Sequence, residues 1–446
     1  MIEVRLPGTI PWRDFRSELL QSEIMNSDHM QAALGTILAL LLLLAFARFV
    51  PSRFETEEVV VRAPHTIAVT RAHTRQQAIE DIADACRNLP ATEANTKAWH
   101  RIVYKMKTTY YTQPDGILPL KKLLALAAYQ GERRRLLFET IHALYPNSFV
   151  AEMEDAVRTE TDPRRFCMAA SWLLRHGKHG EEVRDALKTT LVQRFPGWRD
   201  EPRFEALHAT LENPRHEVID ERPPLRDLLE ASFDQRPVIF SFQRLNRNYQ
   251  GRAVIRQPDG TFLREEHAGP ILTIAQLARA VNDLPGTITN GNTPQGLFEV
   301  REFSNSRIRA IGPTETIVLG LPSEYDDMWT LERYRRLLPQ NWHGYWPIYE
   351  AWWAGQAGRF EIIAHGTTKD PNHWRQLPFY PNTPSHGCLT ALETWDRGNG
   401  QRLISEQARL VDALHQAGGV PAWLVVVEVD DQEKPILESE VRRLLP

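Results

Sequence analysis

The stretch Asn213-Pro214-Arg215-His216-Glu217-Val218-Ile219-Asp220-Glu221-Arg222-Pro223-Pro224-Leu225-Arg226 divides this chain of 446 residues, because the hydrophobic period changes across it. Before it, apolar residues recur every three or four positions, in 118–129, 133–145, 164–177 and 181–195. That spacing paints one face of a helix. Gly177, Gly180 and Pro196-Gly197 punctuate the run, and short turns between antiparallel helices predict a bundle or a solenoid. After it, short runs such as PVIFSFQ (237–243), GRAVIRQ (251–257), TFLR (261–264), LFEVREF (297–303), TIVLGL (316–321), RFEIIAH (359–365) and AWLVVVEV (422–429) predict strands. Pro258-Asp259-Gly260 reads as a hairpin turn, and 273–284 and 404–418 read as helices. The expectation is a multidomain chain: an all-α domain over 66–225, then a mainly-β domain with a few helices over 226–446.

A second feature stands outside this division. Residues 32–47, AALGTILALLLLLAFA, carry no charge. At ~1.5 Å per residue they span roughly 24 Å, a little short of a ~30 Å hydrocarbon core. Met30, Phe49 and Val50 extend the run and Arg48 can snorkel. The expectation is a transmembrane helix over 30–50, after a short segment 1–29 and before a linker 51–65. Two alternatives stay open, a buried helix and a cleaved signal, since Ala45-Phe46-Ala47 fits a cleavage pattern. Arg13 and Arg16 precede the run and Arg48, Arg53 and Arg62 follow it, which mildly favours a cytoplasmic C-terminal side.

Net charge of −4 argues for no nucleic-acid partner. Three cysteines, Cys86, Cys167 and Cys388, build no disulfide framework. Cys86 and Cys167 sit in helical runs and read as core. Cys388 differs: it lies in Thr383-Pro384-Ser385-His386-Gly387-Cys388-Leu389-Thr390. A thiol attacks only as thiolate and needs a base nearby. His386 is close in sequence, and His365 ends a strand-like run, a rigid place for a base. Gly387 would let a carbonyl approach, and the N–H groups of Gly387 and Cys388 could hold an oxyanion. Two other readings remain: an apolar filler, and a zinc site of His365, His386 and Cys388 completed by His373 or Asp370.

Ser385-His386-Gly387-Cys388, preceded by His365-Gly366 and, further upstream, by Asn292-Thr293-Pro294-Gln295-Gly296-Leu297-Phe298, resembles the signature of the L,D-transpeptidase catalytic domain. The resemblance covers about 235–430. It implies an L,D-transpeptidase-like fold, Cys388 as nucleophile, and His365 as base and acid, oriented by a carbonyl near Gly366. His386, Ser385, Gly387 and Gly366 would support the site, while Thr293, Pro294 and Gly296 would build scaffold. Two departures stand out. The family's arginine two residues after the cysteine is Thr390 here. The His365-to-Ser385 segment is long and carries His373, Trp374, Arg375, Phe379 and Tyr380. Trp374, Arg375, Tyr380 and Thr390 become candidate substrate contacts, with a loop packed by its own aromatics as the alternative. The aromatics of 341–353 read mainly as core.

The implied activity is cysteine acyl transfer on peptidoglycan stem peptides with no cofactor. The expected setting is the cell envelope, membrane-anchored, with the catalytic domain in the periplasm or outside the cytoplasm. The helical domain could meet an envelope protein. An L,D-carboxypeptidase, a cysteine amidase and a catalytically reduced wall-binding scaffold are the alternatives.

Overall fold

The computed structural model describes residues 60–176, 180–265, 269–322, 324 and 329–445. Its first half is a run of eight helices: α1 (Ala68–Asn88), α2 (Thr96–Thr109), α3 (Ile117–Ala125), α4 (Glu132–Leu144), α5 (Val150–Thr159), α6 (Pro163–His176), α7 (Glu181–Arg194) and α8 (Pro202–Glu212). Their apolar stripes converge on one core containing Trp99, Phe149, Phe166 and Trp172. Cys167 is buried in it and Cys86 packs at its edge. Gly116 lets the helices close in, since a Cβ there would collide with the Tyr145 hydroxyl and Met106. The proline-rich boundary folds into two short helices, α9 (Arg215–Val218) and α10 (Leu225–Glu230).

The second half closes a barrel. Its strands are β1 (Val238–Gln243), β2 (Gly251–Arg256), β3 (Ile274–Leu277), β4 (Gly296–Ser304), β5 (Thr316–Gly320), β6 (Ile362–His365), β7 (Leu389–Ala391) and β10 (Ala422–Glu428), with β8 (Glu393–Trp395) and β9 (Arg402–Ser405) as a separate pair. The order around the barrel is β1-β10-β4-β5-β6-β7-β3-β2. β1–β10 and β6–β7 are parallel and the other pairs antiparallel. All eight strands send residues into one apolar cluster, among them Ile239, Ile274, Phe298, Ala364, Leu389 and Leu424. Leu410 and Leu414 of α13 (Glu406–Gln416) join it. A second cluster covers the outer face of β1, β2, β4 and β10 with α11 (Leu331–Arg336), Trp342, Tyr345 and α14 (Glu438–Leu444). β1 and β10 are therefore buried on both faces, which is why their sequences are continuously apolar rather than alternating. The aromatics of 341–353 do pack mainly as core: Trp342, Tyr345 and Tyr349 are buried.

Barrel and helices form one unit, Val60–Pro446. Leu284 and Ile288, from a barrel loop, belong to the helical core. Arg215 pairs with Glu350 at 2.8 Å, on α12 (Glu350–Gln356), and with Glu428 at 3.0 Å. Arg175 pairs with Asp283 at 2.8 Å.

Two expectations are corrected. The expected fold class included a transmembrane helix, yet no helix among the described residues is long and apolar enough to cross a membrane. Segments 1–29 and 30–50, and most of the linker 51–65, lie outside the described residues. Second, 273–284 is not a helix. Ile274, Leu277 and Val281 have helical spacing, but Ile274–Leu277 forms β3 and bridges β2 to β7. Gln276, buried there, accepts from Ser241 Oγ at 2.8 Å. Closing the barrel overrides a local preference of a few tenths of a kcal/mol per residue. At 261–264 the chain makes only isolated bridges, Arg256 to Phe262 and Arg264 to Ile271.

Candidate active site

β6 and β7 are neighbours in parallel register, Ala364 beside Leu389 and His365 beside Thr390. Cys388 immediately precedes β7, which sets it beside Ile363. Ala364 and Leu389 point into the barrel cluster. Alternation then carries His365, and Cys388 one residue before Leu389, to the outer face. Strand spacing and a two-residue offset separate their Cα atoms by ~8 Å. Two residues 23 positions apart in sequence are thus brought to one face of one strand pair.

The thiol is half-buried; its Sγ donates to the Glu361 carbonyl at 3.8 Å and accepts from the Ile363 N–H. Burial pushes the thiol pKa up, against the Ile363 N–H and the charges of Arg359 and Lys369. His365 is 5 % exposed. Its Nδ1 donates to the Gly366 carbonyl, which leaves Nε2 as the basic nitrogen. Gly366 is required where it stands: a Cβ would run into the buried Glu393 carboxylate. Burial, helped by Lys369, takes His365 down to about 4 despite that carbonyl. His386 has a solvent-exposed face, but the crowding of its recess, then Lys107, Lys369, Arg135 and His365, push it down to about 3.

The turn before the thiol is held from several sides. Ser385 Oγ donates to the Cys388 carbonyl at 2.8 Å and accepts the Gly387 N–H at 3.0 Å. That corrects one expectation: the Gly387 N–H is engaged within the turn and is not available to an oxyanion. Gly387 itself has φ of +112°, where its lack of a side chain is needed. Thr293 Oγ donates to its carbonyl at 3.1 Å, so the Thr-Pro segment touches the cysteine turn directly.

The same carbonyl receives a guanidinium that sequence reading missed. Arg359 is 4 % exposed and donates to the carbonyls of Gly387 at 3.0 Å, Gly291 at 2.8 Å and Asn292 at 2.7 Å, and also to that of Gly286. Burial lowers its pKa to about 10, against Cys388 and Glu350. Thr390, by contrast, is buried and donates to the Thr383 carbonyl at 2.8 Å, so it braces the strand and offers nothing to a substrate. Lys369, four residues past His365, was missed too. Its Nζ donates to the Pro384 carbonyl at 3.5 Å, and burial and Lys107 lower its pKa to about 8.

The long loop divides the remaining candidates. Trp374 and Phe379 are buried in a small cluster with Leu277, which is the packed-loop alternative. Arg375 and Tyr380 are exposed. Among the described residues no group of three His, Cys, Asp or Glu side chains could hold a metal ion, so the zinc alternative finds no ligand set.

The helices reach this site as well. Glu139 takes Lys107 at 2.5 Å and Arg135, and accepts from Asn290 at 3.0 Å. Asn290 adjoins Gly291, whose carbonyl holds Arg359. A contact chain therefore runs from α2 and α4 through the 286–292 loop to the Cys388 turn. A groove of about 760 Å³ between helices and barrel, lined by Tyr110, Arg175, Asn248, Arg279 and Leu377, lies near Ser385, whose N–H donates to Arg279 O. Comparison with protein families, with curated proteins and with solved structures finds no match for this chain.

Proposed function

We propose that the protein is a cysteine acyl transferase of the L,D-transpeptidase type, acting on peptidoglycan stem peptides outside the cytoplasm. The observation that carries this reading is the shared face of His365 and Cys388 on adjoining parallel strands, with the Gly366 carbonyl setting the imidazole tautomer. The resemblance of the surrounding motifs supplies the substrate class.

At neutral pH the resting pair is a thiol and a neutral imidazole. The step is therefore general-base attack. His365 Nε2 takes the Sγ proton as sulfur bonds to the carbonyl carbon of the third stem residue, a diamino acid. The C–N bond to D-alanine breaks, and the leaving amine takes the proton from His365. An acceptor amine then attacks the thioester, passes its proton to His365, and the thiol returns. A stem-peptide amine yields a 3→3 cross-link, a protein amine anchors that protein, and water makes the enzyme a carboxypeptidase. The oxyanion is assigned to the Cys388 N–H. That peptide unit carries Arg359 and Thr293 on its carbonyl, and hydrogen bonds at one end of an amide strengthen the donor at the other.

The raised thiol pKa and the engaged Gly387 N–H favour one second reading, a wall-binding scaffold that has lost turnover. Mass spectrometry of the purified full chain mixed with tetrapeptide muropeptides separates the two. The transferase gives an adduct on Cys388 and free D-alanine, both absent in Cys388→Ala. Binding to sacculi with neither product would leave only the scaffold.

A further inference from the structure

We propose that Lys369 receives a carboxylate of the acyl donor, which makes an anionic peptide the substrate class of this site; the inference rests on the acyl-transfer reading. Lys369 is half-buried, with its ammonium on the Pro384 carbonyl at 3.5 Å and 5.9 Å from the centre of the Trp374 ring. It lies within the electrostatic reach of Cys388, His365, His373 and His386. Among the described residues no carboxylate pairs with it, whereas the other cations that bear on Cys388 and His386 are committed. Lys107 of α2 and Arg135 of α4 share Glu139, and Arg359 is spent on four backbone carbonyls.

The acid next in sequence is committed too. Asp370 accepts from Asn372 N at 3.0 Å and from its side-chain amide at 2.8 Å, and faces Arg71. Glu361, the other acid near the thiol, is exposed at the entry to β6. The recess is therefore positive, with one ammonium that burial penalises and, among the described residues, no anion paired with it to compensate. A peptide cut before its terminal residue fits this. Its free carboxylate is three bonds from the attacked carbonyl carbon, ~4 Å at most by standard bond lengths. A Lys beside the nucleophile can reach it. A side-chain carboxyl on the diamino residue is the other source of the same chemistry.

The test uses the full chain and three synthetic donors: a stem tetrapeptide ending in D-alanine, its C-terminal amide, and the tetrapeptide amidated at the diamino side-chain carboxyl. Thioester formation on Cys388 is followed by mass. A charge-assisted contact predicts that amidating the recognised carboxyl slows acylation roughly 10- to 100-fold. Lys369→Gln should slow the free tetrapeptide by the same factor and no longer distinguish it from that amide, and Lys369→Arg should restore the distinction. The amide that loses rate tells which carboxyl is bound. Equal acylation of all three donors by the unsubstituted protein overturns the proposal, whether or not Lys369→Gln folds. So does a Lys369→Gln protein that still discriminates. No thioester with any donor overturns the acyl-transfer reading instead.

Discussion

The guanidinium of Arg359 sits on the carbonyl of Gly387 at 3.0 Å, one peptide unit from the Cys388 thiol. Gly387 could not carry a side chain there, since its Cβ would meet that guanidinium and the Gly291 carbonyl. The positive charge of this turn thus comes from the entry to β6, not from the residue two places after the cysteine.

Replacing Arg359 by Met leaves several buried carbonyls without a donor. Each unsatisfied acceptor costs ~1–3 kcal/mol, so a total loss of at least ~3 kcal/mol is expected in urea denaturation. Arg359→Lys keeps the charge with fewer bonds and should fall between. Because Arg359 favours the thiolate, the pH profile of Cys388 alkylation by iodoacetamide should move to higher pH in Arg359→Met and less in Arg359→Lys. An unmoved profile would show that the guanidinium serves only the backbone.

A thiol raised by burial on the same strand face as an imidazole lowered to about 4 has a second consequence. His365→Ala should abolish acylation by a tetrapeptide donor while leaving the alkylation profile of the free protein unchanged. Were the resting state a thiolate–imidazolium pair, the same substitution would raise the thiol pKa by about a unit or more. Parallel alkylation series on the two proteins decide it.

Acid should destabilise the fold through its buried histidines. His142, with Nδ1 on the Asn282 carbonyl at 2.8 Å, is pushed down to about 3 by burial and then Arg175, and His365 to about 4. Folded values below the ordinary ~6.5 mean that the unfolded chain takes up the proton first. The contribution is complete above pH ~6.5 and is lost as pH falls toward 4 for His365 and 3 for His142. Each loses at most ~1.4 kcal/mol per pH unit. Urea titrations between pH 7 and 4.5 should slope accordingly, and His142→Asn should remove about one proton's worth. The same slope in both proteins would contradict the assignment.

Periodicity made the two architectures legible because helix stripes and buried strands each impose one spacing on the chain. It failed at 273–284, where the spacing of Ile274 and Leu277 was compatible with a helix and only pairing with Gly251–Ala253 and Thr390–Ala391 made a strand. The candidate site was readable where its chemistry is local: Ser385, His386, Gly387 and Cys388 lie in one tetrapeptide. His365 was readable because it ends a strand. Arg359 and Lys369 were not, since a lone arginine before a strand and a lone lysine in a loop ordinarily mean solvent. Their meaning comes from carbonyls and partners far away in sequence. Nor could any pattern in α2 or α4 announce that Lys107 and Glu139 face the barrel.

That last pair carries the final prediction. Lys107 and Glu139 are 3 % and 0 % exposed and 2.5 Å apart, and Glu139 also holds Asn290 in the loop that supports Arg359. Removing one partner strands a buried charge, at ~3–5 kcal/mol; removing both with apolar side chains of similar size is often nearly neutral. Glu139→Leu should therefore destabilise strongly, since it strands the buried Lys107 ammonium, whereas Lys107→Met should cost less, because Glu139 keeps Arg135 and Asn290. The double variant should recover much of the Glu139→Leu loss in denaturant midpoint. Activity separates support from stability. If the helices position the Cys388 turn through Asn290, the double variant folds yet acylates more slowly than the unsubstituted protein, because Asn290 no longer has its acceptor. Full acylation in a folded double variant would mean that the 286–292 loop holds Arg359 without help from α4.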